Sequence, residues 1–144
     1  MEIQIAPFGG SLYKQAVTLR TNVLRRPLNL QYTPEQLEEE RDQIHFVAVE
    51  EGEVLGVVLL QKLDAQTAKM RQFAVKEKYQ GQGIGSELVA YFEEYAISKD
   101  FSRIEMHARE KAVRFYTQVG YERVGEVFKE VTLNHYKMVK DLED

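Results

Sequence analysis

Gln80-Gly81-Gln82-Gly83-Ile84-Gly85-Ser86 is the stretch on which the reading of this chain turns. Residues 68–75 before it read as a strand. After it, Ile84, Leu88, Phe92 and Tyr95, with Val89 and Ala96 beside them, recur at helical spacing and predict an amphipathic helix over residues 83–98. Glycine tolerates positive φ and lets a ligand come close to the backbone. The first turn of the helix that follows offers N–H groups without intrahelical partners, with the positive end of the helix dipole behind them. Strand, glycine-rich turn and helix start together predict a cradle for a phosphate or pyrophosphate. A nucleotide P-loop needs Gly-Lys-Ser/Thr, and no lysine precedes Ser86. The dinucleotide fingerprint needs two residues between its last glycines and belongs to the first strand–helix unit of its fold. Here a single residue separates Gly83 from Gly85, and the turn lies late in the chain. The competing structural reading is a flexible turn whose glycines serve packing.

Outward from that turn, residues 2–6 alternate as a strand, and residues 11–25 read as a helix with Leu12, Ala16, Leu19 and Val23 on one stripe. Thr33-Pro34-Glu35-Gln36 is a capping-box start with proline at the first helical position, opening a short acidic helix that ends near Asp42. Residues 44–50 and 54–63 read as a hairpin about the Gly52 link. Residues 103–108 read as a strand and 110–119 as a helix stopped by Gly120, with two final strands at 121–127 and 131–140. The order predicts an α/β fold with a mixed sheet, since hairpins pair antiparallel and strand–helix–strand passes pair parallel.

The 144 residues fit one domain, 1–144, and 44% hydrophobic residues supply its core. No run of about 18 apolar residues predicts a membrane span, and the alternating N-terminus lacks the basic and apolar regions of a signal peptide. The expected location is therefore cytoplasmic, away from any membrane. With no cysteine, disulfides, thiolate metal sites and a cysteine nucleophile are excluded. A net charge of −4 with interleaved signs carries no basic footprint for a nucleic-acid partner.

Two motifs give the chain a family likeness. Gln80, Gly83 and Gly85 match Gln/Arg-x-x-Gly-x-Gly/Ala at the strand-to-helix turn, and Ala112-Val113-Arg114-Phe115-Tyr116 followed by Gly120-Tyr121 matches Ala-x-x-Phe-Tyr…Gly-Phe/Tyr. The pattern resembles the Gcn5-related N-acetyltransferases (GNATs), over the whole chain once the element order is included. The resemblance implies a mostly antiparallel sheet of about seven strands, splayed between strands four and five and flanked by about four helices. It further implies acetyl-coenzyme A as co-substrate and no metal. Backbone groups of Phe73, Ala74 and Val75 would bind the pantetheine arm, with the Val75 N–H polarising the thioester carbonyl. The backbone of Gln80, Gly81, Gln82, Gly83, Ile84, Gly85 and Ser86 would hold the pyrophosphate, and Phe115 would touch the cofactor. Tyr116 would protonate the departing thiolate. Family members often dimerise, which admits a homodimer. Without a cysteine, transfer to the amine must be direct, so positioning supplies much of the rate.

The acceptor side is read from charges in apolar settings. At about 100° per residue Arg20 falls inside the apolar arc of the first helix, Arg71 shares a strand face with Phe73 and Val75 by simple alternation, and Arg109 ends a strand. Together they predict a clamp for a carboxylate or phosphate-like group; each alternatively pairs with a structural acid such as Glu105. Leu19-Arg20…Val23-Leu24-Arg25 and His135-Tyr136-Lys137-Met138 resemble segments of small bacterial GNATs of the glyphosate N-acetyltransferase kind, in which matching arginines hold the acceptor's acidic groups and a matching histidine is the base. Histidine is a residue type suited to that task. His45 and His107 match nothing and read as structural. The expected activity is acetylation of a small, acidic amine. The alternatives are acetylation of protein N-termini or lysines, and a non-catalytic acyl-coenzyme A sensor or partner-binding domain.

Overall fold

The computed structural model describes residues 1–142. Its elements run β1 (Glu2–Ile5), α1 (Ser11–Arg20), α2 (Pro34–Glu38), β2 (Ile44–Glu50), β3 (Glu53–Lys62), β4 (Thr67–Val75), α3 (Ile84–Ser98), β5 (Arg103–Arg109), α4 (Val113–Gln118), β6 (Glu122–Glu130) and β7 (Leu133–Asp141). The seven strands follow the order β1-β2-β3-β4-β5-β7-β6. β4 and β5 are parallel, while β1–β2, β2–β3, β5–β7 and β6–β7 are antiparallel. The α/β class and mixed sheet are as expected. The parallel ladder joins Thr67–Met70 to Arg103–Met106, the first part of each strand. Backbone contacts divide the chain into two compact units, Met1–Gln61 with Gln72–Phe92 and Lys62–Arg71 with Glu93–Asp144, so the division falls inside β4 and α3.

In the first unit, β2 and β3 are apolar on both faces, as strands covered on both sides require. Val47, Val49, Val57 and Leu59 pack with Tyr13, Ala16 and Leu19 of α1. Phe46 points the other way and meets the ring of Phe92 on α3, with centroids 5.8 Å apart. A Cβ on Gly56 would stand 2.8 Å from a Leu88 methyl, so the bare backbone there sets how closely the α3 start approaches β3.

Three local departures from the expected pattern have physical causes. Helix α1 ends at Arg20 and continues as a π-helical turn over Thr21–Arg25, closed by the Arg26 N–H donating to the Thr21 carbonyl. The buried residues of α1 are Tyr13, Ala16, Leu19 and Arg20, and none of the π-helical turn is fully buried. The Thr33–Gln36 capping box forms as read, with Pro34 in the first turn. The helix it opens stops at Glu38 and gives way to turns rather than reaching Asp42. Glu38, Glu39 and Glu40 crowd the end where the helix dipole disfavours negative charge. Within β4, Gln72 has φ of 55°. A left-handed residue in a strand breaks the two-residue alternation, so alternation does not group Arg71 with Phe73 and Val75.

In the second unit, Ile104, Met106, Ala108 and Met138 are buried. Gly120, at φ 101°, ends α4 as expected: its N–H donates to the Thr117 carbonyl and that of Tyr121 reaches back to the Tyr116 carbonyl. Tyr121 is buried beneath Tyr116, and its hydroxyl donates to Glu93 at 2.9 Å, a carboxylate also held by Lys140 at 3.0 Å.

Candidate active site

The first unit carries the predicted cradle. Gln80, Gly81, Gln82 and Gly83 are exposed, and Gly81 and Gly83 take φ of 80° and 88°. The space where their side chains would stand is open to 4 Å. The Gln80 amide donates to the Val75 carbonyl at 3.0 Å, tying the turn to the end of β4. Helix α3 begins at Ile84, which leaves the N–H groups of Ile84, Gly85 and Ser86 in its first turn without intrahelical partners. Positive φ, open space and free donors at the start of a helix of 15 residues suit a diphosphate. Phe73 is half-buried, whereas Ala74 and Val75 are buried, and these residues are the last of β4.

Arg20 lies in the same unit and is 0% exposed. Its Nη2 meets Glu40 at 2.9 Å, and its guanidinium stacks on the Tyr32 ring, 4.5 Å from the centroid. Arg25 lies over the same ring at 4.5 Å. The Tyr32 hydroxyl and the Gln72 side-chain oxygen hydrogen-bond, fastening the loop after α1 to the left-handed residue of β4. The charge of Arg20 thus pairs with a structural acid, the alternative to a clamp, and that acid is Glu40. Its Nε and Nη1 nevertheless have no hydrogen-bond partner, which is costly for buried donors.

The second unit carries the predicted acid and base. Tyr116 is buried on α4 beside Phe115 and Tyr121, and burial pushes its phenol above the usual tyrosine range. A neutral phenol is what a proton donor requires. His135 is buried on β7. Its Nδ1 lies 3.0 Å from the Leu133 carbonyl. A carbonyl only accepts, so Nδ1 carries hydrogen and the neutral ring keeps its lone pair on Nε2. Register sets Arg109 and Phe128 opposite His135 on the neighbouring strands, and paired residues share a face. His107 and Glu105 of β5, Lys137 of β7 and Lys69 and Arg71 of β4 belong to that face by register and alternation. Five cations, Lys69, Arg71, Arg103, Arg109 and Lys137, share that face with four carboxylates, Glu105, Glu122, Glu130 and Asp141. Lys137 pairs with Glu105 at 2.9 Å. Burial first, then the charge of Arg71, holds the Lys69 amine below the usual lysine range, opposed by Glu130 and Glu105.

A model of the acetyltransferase (GNAT) family matches residues 14–121. The chain belongs to that family. It is an acyltransferase by membership, and the matched span holds the glycine-rich turn, Arg109 and Tyr116 but ends before His135. Solved GNAT structures share the fold over their whole length. A Lactobacillus plantarum putative N-acetyltransferase superposes with a TM-score of 0.87 at 20% identity, covering 99% of this chain and 98% of that one. An aminoglycoside 6'-N-acetyltransferase complexed with coenzyme A gives 0.82 at 18% identity, covering 100% and 98%. Escherichia coli ElaA gives 0.82 at 19%, covering 97% and 99%. At these identities the likeness is one of fold.

Among the described residues no cluster of three His, Cys, Asp or Glu could hold a metal, and no helix is long and apolar enough to cross a membrane. Sequence reading did not single out Glu40, Tyr32, Gln72 or Glu130. Glu40 was findable in principle, because a buried arginine implies an acid. The left-handed Gln72 leaves no mark in composition.

Proposed function

We propose that this GNAT transfers an acetyl group from acetyl-coenzyme A directly to the amine of a small, acidic metabolite. The observation that carries the reading is the exposed turn of Gly81 and Gly83, both at positive φ with open space over them, at the start of α3. Residues 80–86 would hold the diphosphate by backbone N–H groups, and Phe73, Ala74 and Val75 the pantetheine arm, with Phe115 beside it. When bound, the co-substrate supplies an activated thioester. The Val75 N–H would polarise its carbonyl. His135 Nε2 would take the amine proton. Tyr116, kept neutral by burial, would donate to the thiolate as it leaves. Arg109, across from His135, and Arg71 would bind the acidic end, as a guanidinium suits a carboxylate or phosphonate. Arg20 is fully buried and held by Glu40 and Tyr32, which gives it a structural part and leaves it out of the clamp.

Release of free thiol from acetyl-coenzyme A tests this with L-glutamate, 2-aminoethylphosphonate, spermidine, an aminoglycoside and a peptide with a free N-terminus. Turnover is expected with the first two. Turnover with the peptide alone overturns the small-molecule reading, and coenzyme A binding with no turnover points to a sensor. Arg109→Ala is expected to raise the KM for the acidic amine about tenfold to a hundredfold, the range of a charge-assisted hydrogen bond, and to leave the KM for acetyl-coenzyme A unchanged. Equal changes in both constants count against the clamp.

A further inference from the structure

We propose that Glu130 is the positioning residue of His135, a carboxylate that holds the ring's protonated form and hands its proton to solvent. The inference rests on His135 acting as the base. Glu130 Oε2 lies 3.8 Å from His135 Nε2, the nitrogen left bare by the Nδ1 contact with the Leu133 carbonyl. Glu130 Oε1 is held by His107 Nδ1 at 3.1 Å. His107, which read as structural in the sequence, therefore fixes the carboxylate. Phe128 stacks on His135 at 6.0 Å and meets the edge of His107 at 5.0 Å, walling the pair of imidazoles on one side. The turn that joins β6 to β7 adds a second sign of constraint. Val131 and Thr132 take φ of 51° and 64°, a conformation that β-branched residues resist. That strained turn sets Glu130 opposite Leu133, whose carbonyl orients His135. Strain of this kind persists where the surroundings over-determine it, often beside a functional group.

The proton balance is simple. The amine N–H bond breaks as its electron pair stays on nitrogen, and the proton forms a bond to His135 Nε2. The imidazolium then has both N–H groups directed at acceptors, Nδ1 to the Leu133 carbonyl and Nε2 to Glu130. Nε2 and Oε2 stand 3.8 Å apart, beyond direct hydrogen-bond length, so the proton passes by way of water to Oε2 and on to solvent, to which the Glu130 side chain is 43% exposed. Arg109 of β5 and Lys137 of β7 oppose a charge on the ring, His107 of β5 opposes it when protonated, and Glu130 of β6 favours it; Lys69 of β4 acts on Glu130 in turn.

Two readouts test the proposal on the full chain. In ¹⁵N spectra of histidine-labelled protein without acceptor, the His135 ring is expected to take its second proton at lower pH in Glu130→Gln than in the unchanged chain, because a carboxylate favours the charged ring. Acquisition at the same pH overturns the proposal. In thiol-release kinetics with whichever panel amine is fastest, Glu130→Gln is expected to lower kcat about tenfold to a hundredfold with the KM for acetyl-coenzyme A unchanged, and Glu130→Asp to recover part of the loss. Full activity in Glu130→Gln alongside a crippled His135→Ala overturns the role of Glu130 and leaves the base standing. Full activity in His135→Ala removes the base, and the proposal with it.

Discussion

Replacing His135 by alanine is expected to lower kcat by about a hundredfold to ten-thousandfold, the usual worth of a general base, while coenzyme A binds as before. The reason lies in the local geometry. The Leu133 carbonyl fixes the tautomer, Phe128 covers the ring, and Nε2 is the nitrogen available for an ammonium proton. His135 belongs to the second unit and the cradle of residues 80–86 to the first, so the cradle is expected to keep its affinity. The pH dependence separates this from a packing effect. A base works only when neutral, so the rate in the unchanged chain is expected to fall on the acid side, and His135→Ala loses that fall. Tyr116→Phe is the contrasting case. Burial keeps the Tyr116 phenol neutral well beyond the range in which histidine titrates, so its removal lowers the rate without moving the acid limb. A His135→Ala enzyme with the original profile takes the histidine out of the mechanism.

The second large effect is on stability. Glu40→Ala is expected to cost about 3–5 kcal/mol, because it strands a buried guanidinium. Arg20 is 0% exposed and Glu40 supplies its counter-charge at 2.9 Å. A denaturant melt of the single variant reads the loss. The double change Arg20→Met with Glu40→Leu is the control. Replacing both halves of a buried pair by apolar groups is often neutral or stabilising, so the double variant should recover most of the stability. A single variant as stable as the parent means that the pair does not carry the charge of Arg20.

Much of this fold was legible because several levels of the sequence agree. The Thr33-Pro34-Glu35-Gln36 start carries both halves of a capping box, and both form. The stripe of α3 is long and strongly periodic: Ile84, Leu88, Val89, Phe92 and Ala96 are buried, and Tyr95 is half-buried. The glycine-rich turn announced its positive φ through Gly81 and Gly83. What escaped depends on contacts distant in sequence or on backbone states open to ordinary residues. The π-helical turn over Thr21–Arg25 arises without any glycine or proline to signal it. Gln72, Val131 and Thr132 adopt left-handed conformations that their side chains disfavour, so only the finished sheet reveals them. The arginine in the apolar arc was correctly seen as needing a partner, yet the choice of Glu40 among neighbouring glutamates rests on how the turns after α2 fold. Glu130 looked like one more surface acid until the β6–β7 register set it beside two histidines.

The account depends above all on main-chain donors at residues 80–86 gripping a diphosphate. Titration calorimetry of the purified chain with coenzyme A tests this most directly, run beside Gly83→Val, whose branched side chain resists the φ of 88° and would intrude on the open cradle. Saturable heat with the parent chain and its loss in the valine variant is the predicted result. No heat from coenzyme A or acetyl-coenzyme A with the folded parent chain would contradict it.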